Sequence, residues 1–204
     1  MSDPRIKVIL FDLGGVLVDW AGTRELVTLS GGTLSNEQSR RFWLFSEWMR
    51  KFEIGGCTPE QFAEGMVSEL GLSLSPEDFL RHFISWDRGF LPGATNLLEV
   101  LMPRYYLACL SNTNVLHWTK LCKEQNLLQR FHRLYISFET GFLKPSSEAF
   151  QYVIKDIGHK PHSILFFDDN QECVDTANSL GFQAFQVSGI EETCTVLNKL
   201  EIFI

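Results

Sequence analysis

The chain has 204 residues and a hydrophobic content of 45%, which suits one compact globular unit with at most a small insert and argues against a multidomain protein. Its net charge of −7 and isoelectric point near 5.2 give no general attraction for nucleic acid or an anionic membrane, so neither is expected as a partner. Without a signal-peptide cleavage site or an apolar run of ~20 residues, we expect a cytoplasmic protein, either a monomer or a weak homodimer.

Five short apolar runs predict the strands of one sheet. In chain order they are residues 8–11, 106–110, 134–136, 164–167 and 182–187. Most are continuous rather than alternating, as in strands covered on both faces, and helical patterns separate the later ones. The pattern indicates an α/β fold, with a Rossmann-like parallel sheet and helices on both of its faces.

A long helical pattern separates the first predicted strand from the second. Helix starts are indicated at Ser35, Thr58 and Ser75, where a capping residue precedes proline or an acidic first turn. Pro92 and Gly93 then mark the return of the chain to the sheet. We predict a core of residues 1–18 and 91–204, and a small all-helical cap of residues 19–90 inserted after the first strand.

Polar residues directly follow three of the predicted strands. They are Asp12 after the first, Ser111, Asn112 and Thr113 after the second, and Asp168 and Asp169 after the fourth. Ligands of parallel sheets bind outside the carboxyl ends of the strands, so these side chains are expected to meet. Three carboxylates in one crevice repel each other unless a cation neutralises them. Magnesium, which prefers oxygen ligands and one or two carboxylates, suits Asp12 and Asp169.

A phosphate site is predicted at the same edge of the sheet. Lys144 precedes Pro145 and a helix, where its ammonium group could pair with a phosphate and with Asp12. Ser111 and the backbone amides of Asn112 and Thr113, at a strand-to-helix turn, can donate to phosphoryl oxygens.

Four segments resemble the ordered motifs of the haloacid dehalogenase superfamily. They are FDLGGVLVD at 11–19, LSNTN at 110–114, Lys144 with Pro145, and FDDN at 167–170. The first, second and fourth look especially like the bacterial branch that includes α-D-glucose-1-phosphate phosphatase, and residues 52–62 resemble the helical cap of that branch. The resemblance spans essentially the whole core.

The resemblance implies a magnesium-dependent phosphatase, a phosphoric monoester hydrolase acting on small phosphorylated metabolites such as hexose 1-phosphates. Asp12 would attack phosphorus to form an aspartyl-phosphate that water then hydrolyses, while Lys144 offsets charge on the phosphoryl group and Ser111 holds it in line. By the same analogy the metal ligands are Asp12, the carbonyl of Gly14 and Asp169. Asp168 is then a further ligand or an orienting group.

Gly14 departs from the superfamily pattern, which usually has a second aspartate two residues after the nucleophile. Glycine cannot transfer a proton, so general acid-base catalysis, worth ~10²- to 10⁴-fold, comes from the cap, from substrate hydroxyls or from solvent, or is absent. The glucose-1-phosphate phosphatase branch has the same glycine. Two alternatives stay open: a catalytically weak relative that binds a phosphorylated ligand or a protein partner, and a hydrolytic 2-haloacid dehalogenase, which needs no metal.

Other noticeable residues are expected to have structural roles. Asp19 suits a capping or hinge role, and His117 could contact substrate or simply cap or pack. The aromatic side chains of the insert recur at helical spacing, which favours core packing over a substrate pocket. The five scattered cysteines are interpreted as reduced thiols in or near the core.

Overall fold

The computed structural model describes residues 6–202. The described residues form seven strands: β1 (Val8–Phe11), β2 (Val18–Trp20), β3 (Asp87–Phe90), β4 (Tyr106–Ser111), β5 (Arg133–Ile136), β6 (Ile164–Asp168) and β7 (Gln183–Gln186). Five of them make a parallel sheet in the order β5-β4-β1-β6-β7. The five predicted strands are thereby confirmed, and each end lies within one residue of its predicted position.

Eleven α-helices are present among the described residues. Between β2 and β3 lie α1 (Gly22–Leu29), α2 (Asn36–Phe45), α3 (Glu47–Glu53), α4 (Pro59–Leu70) and α5 (Pro76–Ser85). After β3 come α6 (Ala94–Leu101), α7 (Val115–Gln125), α8 (Ser137–Thr140), α9 (Ser147–Ile157), α10 (Gln171–Ser179) and α11 (Gly189–Lys199). None of the helices in this part of the chain combines the length and apolar character required to cross a bilayer.

Helices cover both faces of the parallel sheet, as the continuous apolar runs predict. Ile9 and Phe11 of β1 point into a cluster shared with α6, α7 and α11, whereas Val8 and Leu10 point into a cluster shared with α9 and α10. All four residues of β1 are therefore fully buried, and successive side chains contribute to opposite layers. The carboxyl ends of the five parallel strands all lie at one edge of this sheet.

The helices α1 to α5 pack around a third apolar cluster of their own. Phe52 and Phe62 stack at its centre with their ring centroids 4.3 Å apart. The predicted helix starts are confirmed: Ser35 and Thr58 each form a capping box, and the Ser75 side chain accepts from the backbone N–H of Asp78. The insert thus has both its own core and its own local start signals.

The insert differs from the all-helical prediction at its two ends. β2 and β3 pair antiparallel, with Val18 opposite Phe90 and Trp20 opposite Asp87. Strands of three and four residues are too short to show a clear alternation of polar and apolar residues. The chain therefore enters and leaves the insert through a two-stranded antiparallel ribbon. The division of the chain into a core and a cap at residues 18 and 91 stays a prediction.

All five cysteines are free, in agreement with the sequence analysis. Cys109 and Cys173 are buried, and the other three are partly exposed.

Candidate active site

The structure brings the three predicted carboxylates together at the carboxyl edge of the sheet. Asp12 directly follows β1, and its backbone N–H donates to the carbonyl of Phe167 on β6 at 2.9 Å. Asp168 ends β6 and Asp169 comes next. One oxygen of each carboxylate lies within 4.8 Å of the others. The parallel arrangement of β1 and β6 therefore creates this cluster.

Lys144 lies between two of these carboxylates. Its Nζ is 2.9 Å from Asp12 Oδ1 and 2.6 Å from Asp168 Oδ2, and all three side chains are buried. Burial lowers the pKa of Lys144, but the two carboxylates outweigh burial and hold it well above its usual value. The ammonium group therefore stays charged and fixes one oxygen of Asp12.

Asn112 holds the backbone of Lys144 in place. Its Nδ2 donates to the Lys144 carbonyl at 2.9 Å, and the Lys144 N–H donates to its Oδ1 at 2.9 Å. This role of the Asn112 side chain is not predicted from the sequence, which indicates a role only for its backbone amide. Its sole signal in the sequence is an amide residue at the end of a strand.

Thr113 is linked to the start of α8. Its N–H donates to Ser137 Oγ at 3.0 Å, and that hydroxyl donates to the Thr113 carbonyl, also at 3.0 Å. The Thr113 amide, expected to donate to phosphate, is thus already engaged by Ser137, a residue that the sequence analysis did not select. Ser111 lies at the end of β4 and is buried.

Asp12 is only partly ionised at neutral pH. Burial, together with the repulsion from Asp168 and Asp169, raises the pKa of Asp12 to about 7. The positive charge of Lys144 lowers this pKa but offsets the other effects only in part. A nucleophilic carboxylate must be ionised to attack. A divalent cation beside it would lower this pKa, and the cluster offers oxygen donors of the kind that magnesium prefers.

The turn after Asp12 also suits a metal ion. The carbonyls of Leu13 and Gly15 accept backbone hydrogen bonds, whereas the Gly14 carbonyl accepts none from the described residues. Gly15 has φ +74°, and a Cβ on it would lie 2.5 Å from Asp169 Oδ2. Gly15 therefore gives Asp169 the room to approach this turn.

The two aspartates of β6 have different surroundings. Asp168 is buried and bonded on both oxygens, by Lys144 and by the N–H of Asn170 at 2.8 Å. Asp169 is exposed. The metal set predicted from sequence, Asp12, Gly14, Asp169 and Asp168, is thus brought into one place, with Asp169 the more open of the last two.

His117 has both ring nitrogens engaged within the protein. Nε2 donates to the carbonyl of Phe83 at 2.8 Å, and Nδ1 accepts from Asn114 Nδ2 at 2.9 Å. The Asn114 side-chain oxygen caps α7, which fixes the orientation of its amide and hence the neutral His117 tautomer. This arrangement corresponds to the packing alternative for His117.

The aromatic side chains of the insert mostly pack against each other. Trp86 is buried, and Trp43 lies against Trp20, Phe83 and Trp86. Phe45 is the exception, because 70% of it is exposed.

A cleft of about 590 Å³ lies between α3 and the segment that leads into α9. Its lining residues are Phe45, Glu47, Arg50, Lys51, Ile54, Gly141, Phe142, Leu143, Ser146 and Glu148. Leu143 directly precedes Lys144 in the chain, but neither Lys144 nor the three carboxylates line this cleft. Its volume is that of a site for a small metabolite.

Comparison with known proteins identifies relatives across nearly the whole chain. Residues 6–181 match the sequence model of the haloacid dehalogenase-like hydrolases. A D-ribitol-5-phosphate phosphatase of Bacteroides thetaiotaomicron is 27% identical, over 89% of this chain and 91% of that protein. A sesquiterpene phosphatase of Aspergillus oryzae is 26% identical, over 95% of this chain and 96% of that protein.

Solved structures show the same fold. A haloacid dehalogenase family enzyme of Bacteroides thetaiotaomicron, bt-2542, superimposes with a TM-score of 0.79 and 25% identity, covering 94% of this chain and 98% of that one. Its complex with magnesium and inorganic phosphate gives a TM-score of 0.72 and 27% identity, covering 89% of this chain and 93% of that one.

Proposed function

Because this chain belongs to the haloacid dehalogenase-like hydrolases, we propose that it is a magnesium-dependent phosphatase that acts on small sugar or polyol phosphates. The observation that carries the proposal is the buried Lys144 ammonium bound to both Asp12 and Asp168, with Asp169 completing the carboxylate cluster. The ammonium group can attract an anionic phosphate, and the carboxylates can bind a metal cation that the phosphate also contacts.

Asp12 is the proposed nucleophile. Lys144 holds its Oδ1, which leaves the second oxygen of the carboxylate to attack phosphorus. The resulting aspartyl-phosphate is then hydrolysed by water, and the substrate alcohol leaves in the first of the two steps. Lys144 offsets negative charge on the phosphoryl group in both steps, and Ser111 is proposed to bind one of its oxygens.

Asp12, the carbonyl of Gly14 and Asp169 are the proposed magnesium ligands. Bound by them, the ion would offset the charge of the carboxylates and of the phosphoryl group. Asp168 is proposed to orient Lys144, since both of its oxygens are already bonded within the protein.

The substrate class rests on the cleft and on the similar proteins. A cleft of about 590 Å³ with both acidic and basic residues in its wall can hold a small polar molecule and bond its hydroxyl groups. The similar Bacteroides protein acts on a polyol phosphate. Hexose 1-phosphates, suggested by the sequence, and pentitol 5-phosphates are therefore the first compounds to test.

Phosphate release from a panel of sugar and polyol phosphates, with magnesium and with EDTA, tests the proposal. We expect release that requires magnesium and that Asp12→Asn abolishes. Asp175→Asn, which changes an exposed carboxylate on α10, is the matched control and should keep full activity.

Two other results would contradict the proposal. Halide release from a 2-haloacid in EDTA would identify a dehalogenase. Binding of phosphorylated compounds with no more release than in Asp12→Asn would identify a ligand-binding relative, the reading that Gly14 favours.

A further inference from the structure

A proton donor for the departing alcohol is missing from the turn after Asp12. Gly14 has no side chain, and the leaving oxygen of a sugar or polyol phosphate must gain a proton as the phosphorus–oxygen bond breaks. We propose that Glu53, the last residue of α3 in the insert, is the general acid that protonates the leaving group. This assignment rests on the phosphatase function proposed above.

The end of α3 is pressed against the carboxyl edge of the sheet. Gly55, two residues after Glu53, has φ +72°, and a Cβ placed on it would lie 2.7 Å from the Phe138 carbonyl oxygen. Phe138 belongs to α8, which directly follows β5, and its neighbour Ser137 bonds the backbone of Thr113. Glu53 is therefore carried to the same edge as the carboxylate cluster.

Chain neighbours of Glu53 and of Lys144 line the cleft described above. Arg50 and Ile54 lie before and after Glu53 on one wall, and Leu143 and Ser146 lie on the other wall. A substrate held in this cleft with its phosphate at Lys144 would place the leaving group between α3 and the sheet. The charges of Asp12 and Lys144 both act on the Glu53 carboxyl group, and we assign it to the side of the phosphate from which the alcohol departs.

The carboxyl group of Glu53 is unused by the protein. It is half-buried, yet it makes no hydrogen bond and no salt bridge with any residue from 6 to 202. Other glutamates have partners, as Glu25 has Arg88 at 2.7 Å and Glu99 has Arg130 at 3.2 Å. No fully buried side-chain oxygen among the described residues lacks a hydrogen-bond partner, so the oxygens of Glu53 are open to solvent and free to bond a ligand.

Its protonation state suits the role. Burial raises the pKa of Glu53 to about 8, and the negative charge of Asp12 adds to this effect, whereas Lys144 and Arg50 oppose it. The group therefore holds a proton at neutral pH. A general acid works best when its pKa lies near the working pH.

The proposed steps balance in protons and electrons. Asp12 bonds to phosphorus as the ester bond breaks, the electron pair stays on the leaving oxygen, and the Glu53 proton completes the alcohol. The Glu53 carboxylate then accepts a proton from the water that attacks the aspartyl-phosphate. Phosphate and free Asp12 result, and Glu53 is protonated again.

The test compares two esters whose leaving groups differ in basicity. A polyol oxygen needs protonation to depart, whereas p-nitrophenolate is stable as an anion. We expect Glu53→Gln to lower kcat/KM for D-ribitol 5-phosphate by ~10²-fold or more and to change kcat/KM for p-nitrophenyl phosphate by only a few fold. Glu64→Gln, an exposed glutamate on α4, is the matched control and should affect neither ester.

The retained p-nitrophenyl phosphate activity also reports that Glu53→Gln is folded with an intact Asp12. Equal losses on the two esters, or no loss on the polyol phosphate, would overturn the assignment. Failure of the proposed function itself is distinguishable, because the wild-type protein would then show no magnesium-dependent turnover of either ester.

Discussion

Gly15 has no Cβ, and this leaves room for Asp169, one of the proposed magnesium ligands. Asp169 lies so close that a Cβ on Gly15 would be 2.5 Å from its Oδ2 and 2.9 Å from its Cγ. Both distances are shorter than carbon–oxygen and carbon–carbon van der Waals contact. Asp169 therefore depends on glycine at this position for its place beside Asp12.

Replacing Gly15 by alanine is expected to weaken magnesium binding by about tenfold or more, the loss typical of a displaced ligand-positioning group. Gly32→Ala is the matched control, because Gly32 also has positive φ but a Cβ there meets nothing within 4 Å. Both variants bear about 1–2 kcal/mol of backbone strain. Magnesium titrations of activity separate the two effects, and equal magnesium affinities in the two variants would contradict the explanation.

The residues that the sequence could predict are those whose place follows from the order of strands. Asp12, Ser111 and Asp168 each end or follow a strand of the parallel sheet, so topology alone brings them together. Glu53 gave no comparable signal. Its position depends on how the end of α3 packs on α8, which no local pattern encodes.

Two asparagine side chains each join two segments of the chain through a pair of hydrogen bonds to the backbone of one residue. Asn112 bonds both backbone groups of Lys144, and Asn178 on α10 does the same to Ala184 on β7, at 3.1 and 3.0 Å. The two asparagines thus make the same pair of bonds. Only the first pair holds Lys144, which contacts two of the clustered carboxylates.

Asn112→Ala and Asn178→Ala are each expected to lower the free energy of unfolding by about 1–3 kcal/mol, since each loses two hydrogen bonds. Only Asn112→Ala should also lower kcat, by about 10- to 100-fold, because Lys144 is then no longer held in position. Denaturant unfolding and steady-state kinetics measure the two quantities. Equal kcat values in the two variants would show that Lys144 is positioned without Asn112.

The buried strands of the parallel sheet and the helices with local capping signals could be predicted from the sequence. The strands of the parallel sheet are continuous apolar runs, and Ser35, Thr58 and Ser75 mark their helices through local capping bonds. β2 and β3 escaped prediction. Trp20 and Asp87 pair only because the insert folds its two ends together, which is a tertiary property.

His117 joins the inserted helices to the part of the molecule that contains the parallel sheet. It lies on α7, accepts a hydrogen bond from Asn114 and donates one to the Phe83 carbonyl on α5 of the insert. A proton on Nδ1 of His117 would face the NH₂ group of Asn114, which is also a donor. The proton would then be buried without an acceptor. Burial and the charge of Lys120 accordingly lower the pKa of His117 to about 4, although the bond to Phe83 opposes them.

Stability is therefore expected to decrease as the pH falls below the ordinary histidine value of about 6.5. The unfolded chain binds the proton there and the folded one does not, so the loss grows until about pH 4 and reaches up to about 3 kcal/mol. Denaturant unfolding between pH 7 and pH 4 measures it. His117→Gln should flatten this part of the profile, whereas His82→Gln, an exposed control on α5, should match the wild type. An unchanged slope in His117→Gln would contradict the prediction.

The β2–β3 ribbon also affects how this protein could have diversified. Both ends of the insert meet in one antiparallel pair, so the inserted helices could be exchanged for another set while the sheet and its motifs stay intact. If the insert carries the proton donor as well as one wall of the cleft, such an exchange would transfer substrate preference and acid catalysis together. Position 14 would then need no proton-donating side chain, and glycine there would suffice.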